Sequence, residues 1–190
     1  MKAFVTSLFI LASLFFVKIS VIAQPPIRII AGKVLINDGS MIFTASKYKS
    51  KIDSLDKVLK INPNDTTSLF YRALFYSHIN NLMARPYQRE NGPLENLIIG
   101  KGQIEKAISL GMSSFKTRVL RAQIYSDIAY RYSGDESWMF NKKQIADRKT
   151  LYNTYKDLAN KYYDELAKED KNNAWDYQQL KVKGDYPIAP

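Results

Sequence analysis

IDSLDKVLKINPNDTTSLFYRALFYSHI, from Ile52 to Ile79, carries two apolar stripes separated by a proline corner. Ile52, Leu55, Val58 and Leu59 recur at three- and four-residue steps and so share one helical face, as do Leu69, Phe70, Ala73 and Tyr76. Pro63 has no amide hydrogen and disfavours helix at the residue before it, so the first helix is predicted to stop near Asn62. Asn64, Asp65 or Thr66 can then cap the second. The stretch reads as a helix end, a tight corner and an antiparallel second helix. It specifies an architecture and no particular reaction.

Upstream, helical spacing extends back to Met41 through Tyr48 and Ala45. Residues 24–40 are mixed, with Pro25-Pro26, an apolar IRII, Gly32 and an Asn37-Asp38-Gly39 turn signal. They read as an extended N-terminal arm, or else as a short helix or strand at Ile27 to Ile36 that covers the first repeat. Residues 1–23 have the form of a cleavable signal peptide: Met1-Lys2, an uncharged run from Ala3 to Val17, and Val21-Ile22-Ala23 before Gln24. Lys18 leaves the uninterrupted run shorter than the roughly 20 apolar residues that span a bilayer, and a retained signal anchor is the competing reading. The chain has no cysteine, which excludes disulfides, thiolate metal sites, a cysteine nucleophile and a lipidated cysteine. The expectation is an exported protein, periplasmic or secreted, and the Lys/Asn/Tyr-rich composition points to a bacterial envelope.

Downstream, residues 82–93 hold two prolines and a glycine without apolar periodicity and are predicted to form a loop. Pro93 and Glu95 open a third helix, with Leu97, Ile98, Ile104, Ala107 and Ile108 as its apolar face and Gly111 at its end. Ser113 or Ser114 caps a fourth, bearing Phe115, Val119, Ala122, Tyr125 and Ala129. Residues 133–143 form a second interruption, and a fifth helix from about Gln144 to Lys168 carries Leu151, Tyr155, Leu158, Tyr162 and Leu166. A short helix at 174–180 precedes an irregular tail, residues 183–190. The helical domain thus spans 41–182.

The corners VLKINPNDT, AISLGMSSF and LAKEDKNNA each follow an apolar helix end and precede a capped helix. With Pro63 after the first helix, Ala107 at a helix end, Ala73 and Ala122 as small packing residues, Tyr76 and Tyr125 three positions on, and Ala159 in the fifth helix, the chain resembles the tetratricopeptide repeat family. Met112 and Lys171 depart from it at the later proline positions, and the corners lie further apart than that family's repeat of about 34 residues. The resemblance implies an all-α fold of antiparallel helix pairs stacked as a short right-handed solenoid.

It also implies a protein- or peptide-binding module whose concave face is formed by the first helix of each pair. On this chain that face comprises Phe70, Leu74, His78, Lys116, Val119, Gln123 and Asp127, flanked by Thr67, Trp175 and Gln178. A stripe at helical spacing also serves as core, and Phe70, Leu74 and Val119 fit that reading equally. The two loops offer a second edge, with Arg85, Tyr87 and Arg89 beside Trp138, Phe140 and Lys142. These are residue types that supply binding hot spots, although Trp138 and Phe140 can also fold back as a lid over the core.

The net charge of +10 admits another role, a basic structural protein held to an anionic envelope polymer or lipid, but the cations are dispersed along helix faces. An enzyme has little to draw on: His78 is the single histidine, Gly100-Lys101-Gly102 is too short for a phosphate loop, and no metal-ligand spacing occurs. A small hydrolase using helix-borne carboxylates such as Asp53 with Asp56, or Glu165 with Glu169, is the remaining enzymatic alternative. No cofactor, no metal, no catalytic residue and no nucleic-acid partner is expected.

Overall fold

A computed structural model describes residues 24–37, 45–82 and 92–189. Among these the chain is mostly helical: α1 (Ala45–Ile61), α2 (Thr66–Leu82), α3 (Pro93–Ser109), α4 (Phe115–Tyr132), α5 (Lys142–Glu169) and α6 (Ala174–Gln179). A two-stranded antiparallel hairpin, β1 (Ile27–Ile30) and β2 (Lys33–Ile36), precedes them. The signal-like segment, the residues before Ala45 in the expected first helix, and Arg85, Tyr87 and Arg89 lie outside the described residues.

The corners form for local reasons. Asn62 closes α1 by donating to the Val58 carbonyl, and Asp65 caps α2, its Oδ2 accepting from the Ser68 amide at 2.9 Å. Glu95 reaches back to the Gly92 amide at 3.0 Å and fixes the start of α3 behind Pro93. Gly111, at φ 95°, ends that helix and lets the Met112 amide return to the Ala107 carbonyl. Ser114 caps α4, and Asn141 with Gln144 makes a reciprocal capping box at α5. That box starts α5 at Lys142, inside the segment expected to be loop.

Each helix packs chiefly on its neighbours in sequence, most extensively α2 on α3 and α4 on α5, and α2 also meets α4. At the α2–α3 contact, Gly100 lies against Ala73; a Cβ there would sit 3.5 Å from the Ala73 carbonyl oxygen. The core runs through Tyr48, Ile52 and Leu55 of α1, Leu69, Phe70, Leu74 and Phe75 of α2, Leu97 and Ile104 of α3, Val119, Leu120, Ile124 and Ile128 of α4, and Tyr152, Tyr163 and Leu166 of α5. Two expected core positions differ: Ile98 is 40% exposed and Leu151 is 42% exposed, because α3 and α5 turn Gly100 and Tyr152 inward instead.

The arm and the tail are more ordered than an extended arm and an irregular tail. The hairpin pairs Ile27 with Ile36 and Ile30 with Lys33 through a two-residue turn in which Ala31 and Gly32 have φ 47° and 71°. The tail has no regular structure but is bound along α5. Asn160 donates to the Val182 carbonyl and accepts from its amide, Tyr152 donates to the Gly184 carbonyl, and Tyr186 and Ile188 are buried.

Candidate functional site

The stripe expected to form a ligand-facing surface on α2 and α4 lies against the hairpin. Phe70, Leu74 and Val119 are core, at 2%, 0% and 0% exposure. The polar members of the stripe bond the hairpin's main chain. In an antiparallel hairpin every second residue turns its N–H and C=O away from the partner strand, and Val34 is such a residue. Its amide donates to Gln123 Oε1 at 3.1 Å, and its carbonyl lies 3.3 Å from His78 Nε2. Lys116 donates to the Ile27 carbonyl at 3.4 Å, and Tyr71 of α2 donates its hydroxyl to the Pro25 carbonyl at 3.1 Å.

Beneath Val34 a relay continues from buried Gln123 and Ser77 to half-buried Asp127. Gln123 Nε2 donates to Ser77 Oγ at 3.1 Å, and Ser77 donates to Asp127 Oδ2 at 3.1 Å. Every donor in the series points toward the Asp127 carboxyl. Burial pushes that carboxyl up to about 7, against the opposing pull of the Ser77 hydrogen bond and of the Lys33 and Arg131 charges. Arg131 is itself buried and braces α2, its Nε donating to Asn80 Oδ1 at 2.6 Å and its Nη2 to the Asn80 carbonyl at 3.0 Å.

His78, Lys116, Gln123 and Asp127 are therefore brought together, by a segment that sequence reading left open between arm, helix and strand. Ser77, Asn80, Tyr71 and Arg131 complete the arrangement and were not anticipated. Ser77 and Asn80 are polar residues at buried positions of α2, Ser77 three residues after core Leu74 and Asn80 three after that, and that placement is the signal by which they could have been found.

The loop edge separates into parts. Trp138 is 65% exposed on a one-turn 3-10 helix, Ser137–Met139, with its indole N–H donating to Glu136. Phe140 instead folds inward beneath the Arg148 guanidinium, 4.3 Å from the ring centroid, while Arg148 holds Asp135 in a two-bond pair. Lys142 is exposed at the first turn of α5. Flanking residues also differ, since Trp175 is 72% exposed and Gln178 donates to Asp164 at 2.9 Å.

One carboxylate of each expected pair is engaged by an arginine. Asp56 accepts from Arg72 at 2.5 Å and Glu169 from Arg118 at 2.6 Å. The pocket lined by Arg118, Arg121, Tyr162, Glu165, Leu166 and Glu169 is spanned by that second bridge, and Arg121 stacks on Tyr162 at 4.0 Å while bonding Glu105 twice. No helix among the described residues is long and apolar enough to cross a membrane. Comparison with models of protein families, with curated proteins and with solved structures finds no match to this chain.

Proposed function

We propose that this chain is an exported, tetratricopeptide-like interaction module that holds a protein or peptide partner and has no catalytic role. The observation that carries the reading is the way α2 and α4 bind an extended segment. Gln123, His78 and Lys116 bond main-chain groups of the hairpin, Tyr71 bonds that of Pro25 just before it, and the hairpin's side chains are left to shape complementarity. The dense α2–α3 and α4–α5 contacts, with α2 touching α4, suit helix pairs stacked as a right-handed solenoid in which α2 and α4 line one face. Trp138, exposed at the second loop, supplies a separate contact point on the loop edge.

Binding to an anionic envelope component draws less support, because Arg72, Arg118, Arg121 and Arg148 are all engaged by carboxylates within the fold. Affinity capture by the full chain from an envelope extract, at low and high salt, separates the two. A discrete protein that survives salt and is lost with Trp138→Ala, or with His78→Ala and Gln123→Ala together, is the expected result. Diffuse anionic material that washes off with salt would overturn the module reading in favour of charge-driven attachment.

A further inference from the structure

The groove between α2 and α4 is built to hold main chain in one conformation. Val34 presents its N–H to Gln123 on α4 and its C=O to His78 on α2. A helical ligand cannot satisfy both, since its own turns consume those groups, whereas any extended strand can. Side-chain selection comes from alternate residues, as Val34 and Ile36 are buried at 0% and 6% while Lys33 between the turn and Val34 is exposed. Under the strand lies the relay from buried Gln123 and Ser77 to half-buried Asp127, and its outermost hydrogen bond is made to a backbone amide.

The segment now seated there is held by the helices and not by its own strand pairing alone. Each strand has four residues, and a two-stranded hairpin of that length is marginal unless packed on something else. Its turn places Ala31, a residue with a Cβ, at φ 47°.

We propose that the hairpin is a resident competitor, and that the groove's partner is an extended strand of another protein, apolar at alternate residues, which takes the place of β2 against Gln123 and His78. This rests on the interaction-module reading and specifies its ligand. The hairpin supplies the argument for the occupant, because it is a seated example of the chemistry that the groove accepts: outward N–H and C=O on one residue, β-branched side chains inward at that residue and two further on, and a main-chain carbonyl within reach of Lys116.

The test uses the full chain and a fluorescein-labelled peptide of residues 24–37, followed by anisotropy. Wild-type protein should bind the peptide weakly, because its own hairpin holds the site. Gly32→Val should loosen that hairpin where its turn rests on α6, since Gly32 has φ 71° and a Cβ there would meet Leu180 Cδ1 at 2.8 Å and the buried Tyr177 ring at 3.1 Å. Val34→Asp in the protein should loosen it from the groove side, and circular dichroism checks that each variant keeps its helices. Either change should tighten peptide binding roughly tenfold or more, the competent fraction of groove having risen.

Adding His78→Ala and Gln123→Ala to Gly32→Val should remove the gain, as should a peptide with Asp at the Val34 and Ile36 positions. Equal affinity of wild-type and both folded hairpin variants would overturn the proposal, and so would binding indifferent to the peptide's alternation. A wild-type dimer that exchanges hairpins would overturn it too, by assigning the site to a second copy. A salt-resistant partner captured by the wild-type chain, with no peptide binding to either folded hairpin variant, would sink this inference and leave the module reading standing; no captured partner and no peptide binding would sink both.

Discussion

Asp127 is the residue at which pH reaches the hairpin seat. Its carboxyl faces Ser77 from α2, Lys33 from β2, Arg131 on its own helix and Tyr163 from α5, and burial lifts it from an ordinary 3.8 to about 7. A carboxyl raised in the folded state keeps its proton in a window where the unfolded chain has lost it. The folded state is therefore most favoured below about pH 4, loses stability as pH rises toward 7, and is level above that. At about 1.4 kcal/mol per pKa unit the loss reaches up to about 4 kcal/mol.

Urea unfolding between pH 4 and 7.5 should show the midpoint falling. Asp127→Asn, which keeps an acceptor for Ser77 and leaves His78 in place, should flatten the profile; an unchanged slope would remove Asp127 from the account. Asp164 acts in the opposite sense, because hydrogen bonds from Gln178 and Lys181 lower it, so its contribution is lost only as pH falls below the ordinary carboxylate range. At this scale the sequence showed which stripe Gln123 and Asp127 occupy, since 3.6-residue periodicity is local. It could not show that the stripe faces a strand, because that contact joins residues 89 positions apart.

Among the elements, the α2–α3 pair makes the clearest prediction. Gly100 is buried in the middle of α3, where glycine costs roughly 0.8–1 kcal/mol of helix propensity relative to alanine. A methyl group would meet Ala73 O and Tyr76 Cβ at 3.5 Å, an ordinary contact. Gly100→Ala should thus be neutral or stabilise by up to about 1 kcal/mol, whereas Gly100→Leu should push α3 off α2 and cost about 1–3 kcal/mol in thermal or urea unfolding.

Helix boundaries were readable for the same local reason that caps work. Asp65, Pro93, Gly111 and Ser114 act within a turn of themselves, and each lies where the sequence places a boundary. The hairpin was harder to see. Its turn is Ala31-Gly32 and not the Asn-Gly or Asp-Gly that favours positive φ at both central residues, and the nearby Asn37-Asp38-Gly39 offered a stronger but different turn signal. The start of α5 was missed because Asn141 and Gln144 form a capping box without Ser or Thr.

For the whole molecule, the tail matters more than its composition suggests. Removing residues 182–190 would expose the surfaces that Tyr186 and Ile188 now cover, each worth about 1.5–3 kcal/mol, and would strip Asn160 of both its bonds to Val182. The truncated chain should lose roughly 3–6 kcal/mol, seen as a Tm lower by on the order of 10 °C. A change within 2 °C would show that α5 is complete without it. Neither Gly184 nor the terminal prolines announced this packing, because a segment without regular structure leaves no periodic trace in sequence.

The hairpin also imposes an order of events. It is the first part of the described chain to be synthesised, yet Val34 must wait for Gln123, 89 residues later, before its amide can be held. Helices that pack on sequence neighbours can form as they emerge, whereas this closure carries the entropy of a long loop and comes late. On this ordering, α2 and α4 are expected to assemble before the hairpin seats, leaving their groove empty for an interval. For a strand partner of the kind proposed, that interval is when the groove has no seated occupant, although the tethered amino-terminal segment keeps the advantage of its high effective concentration.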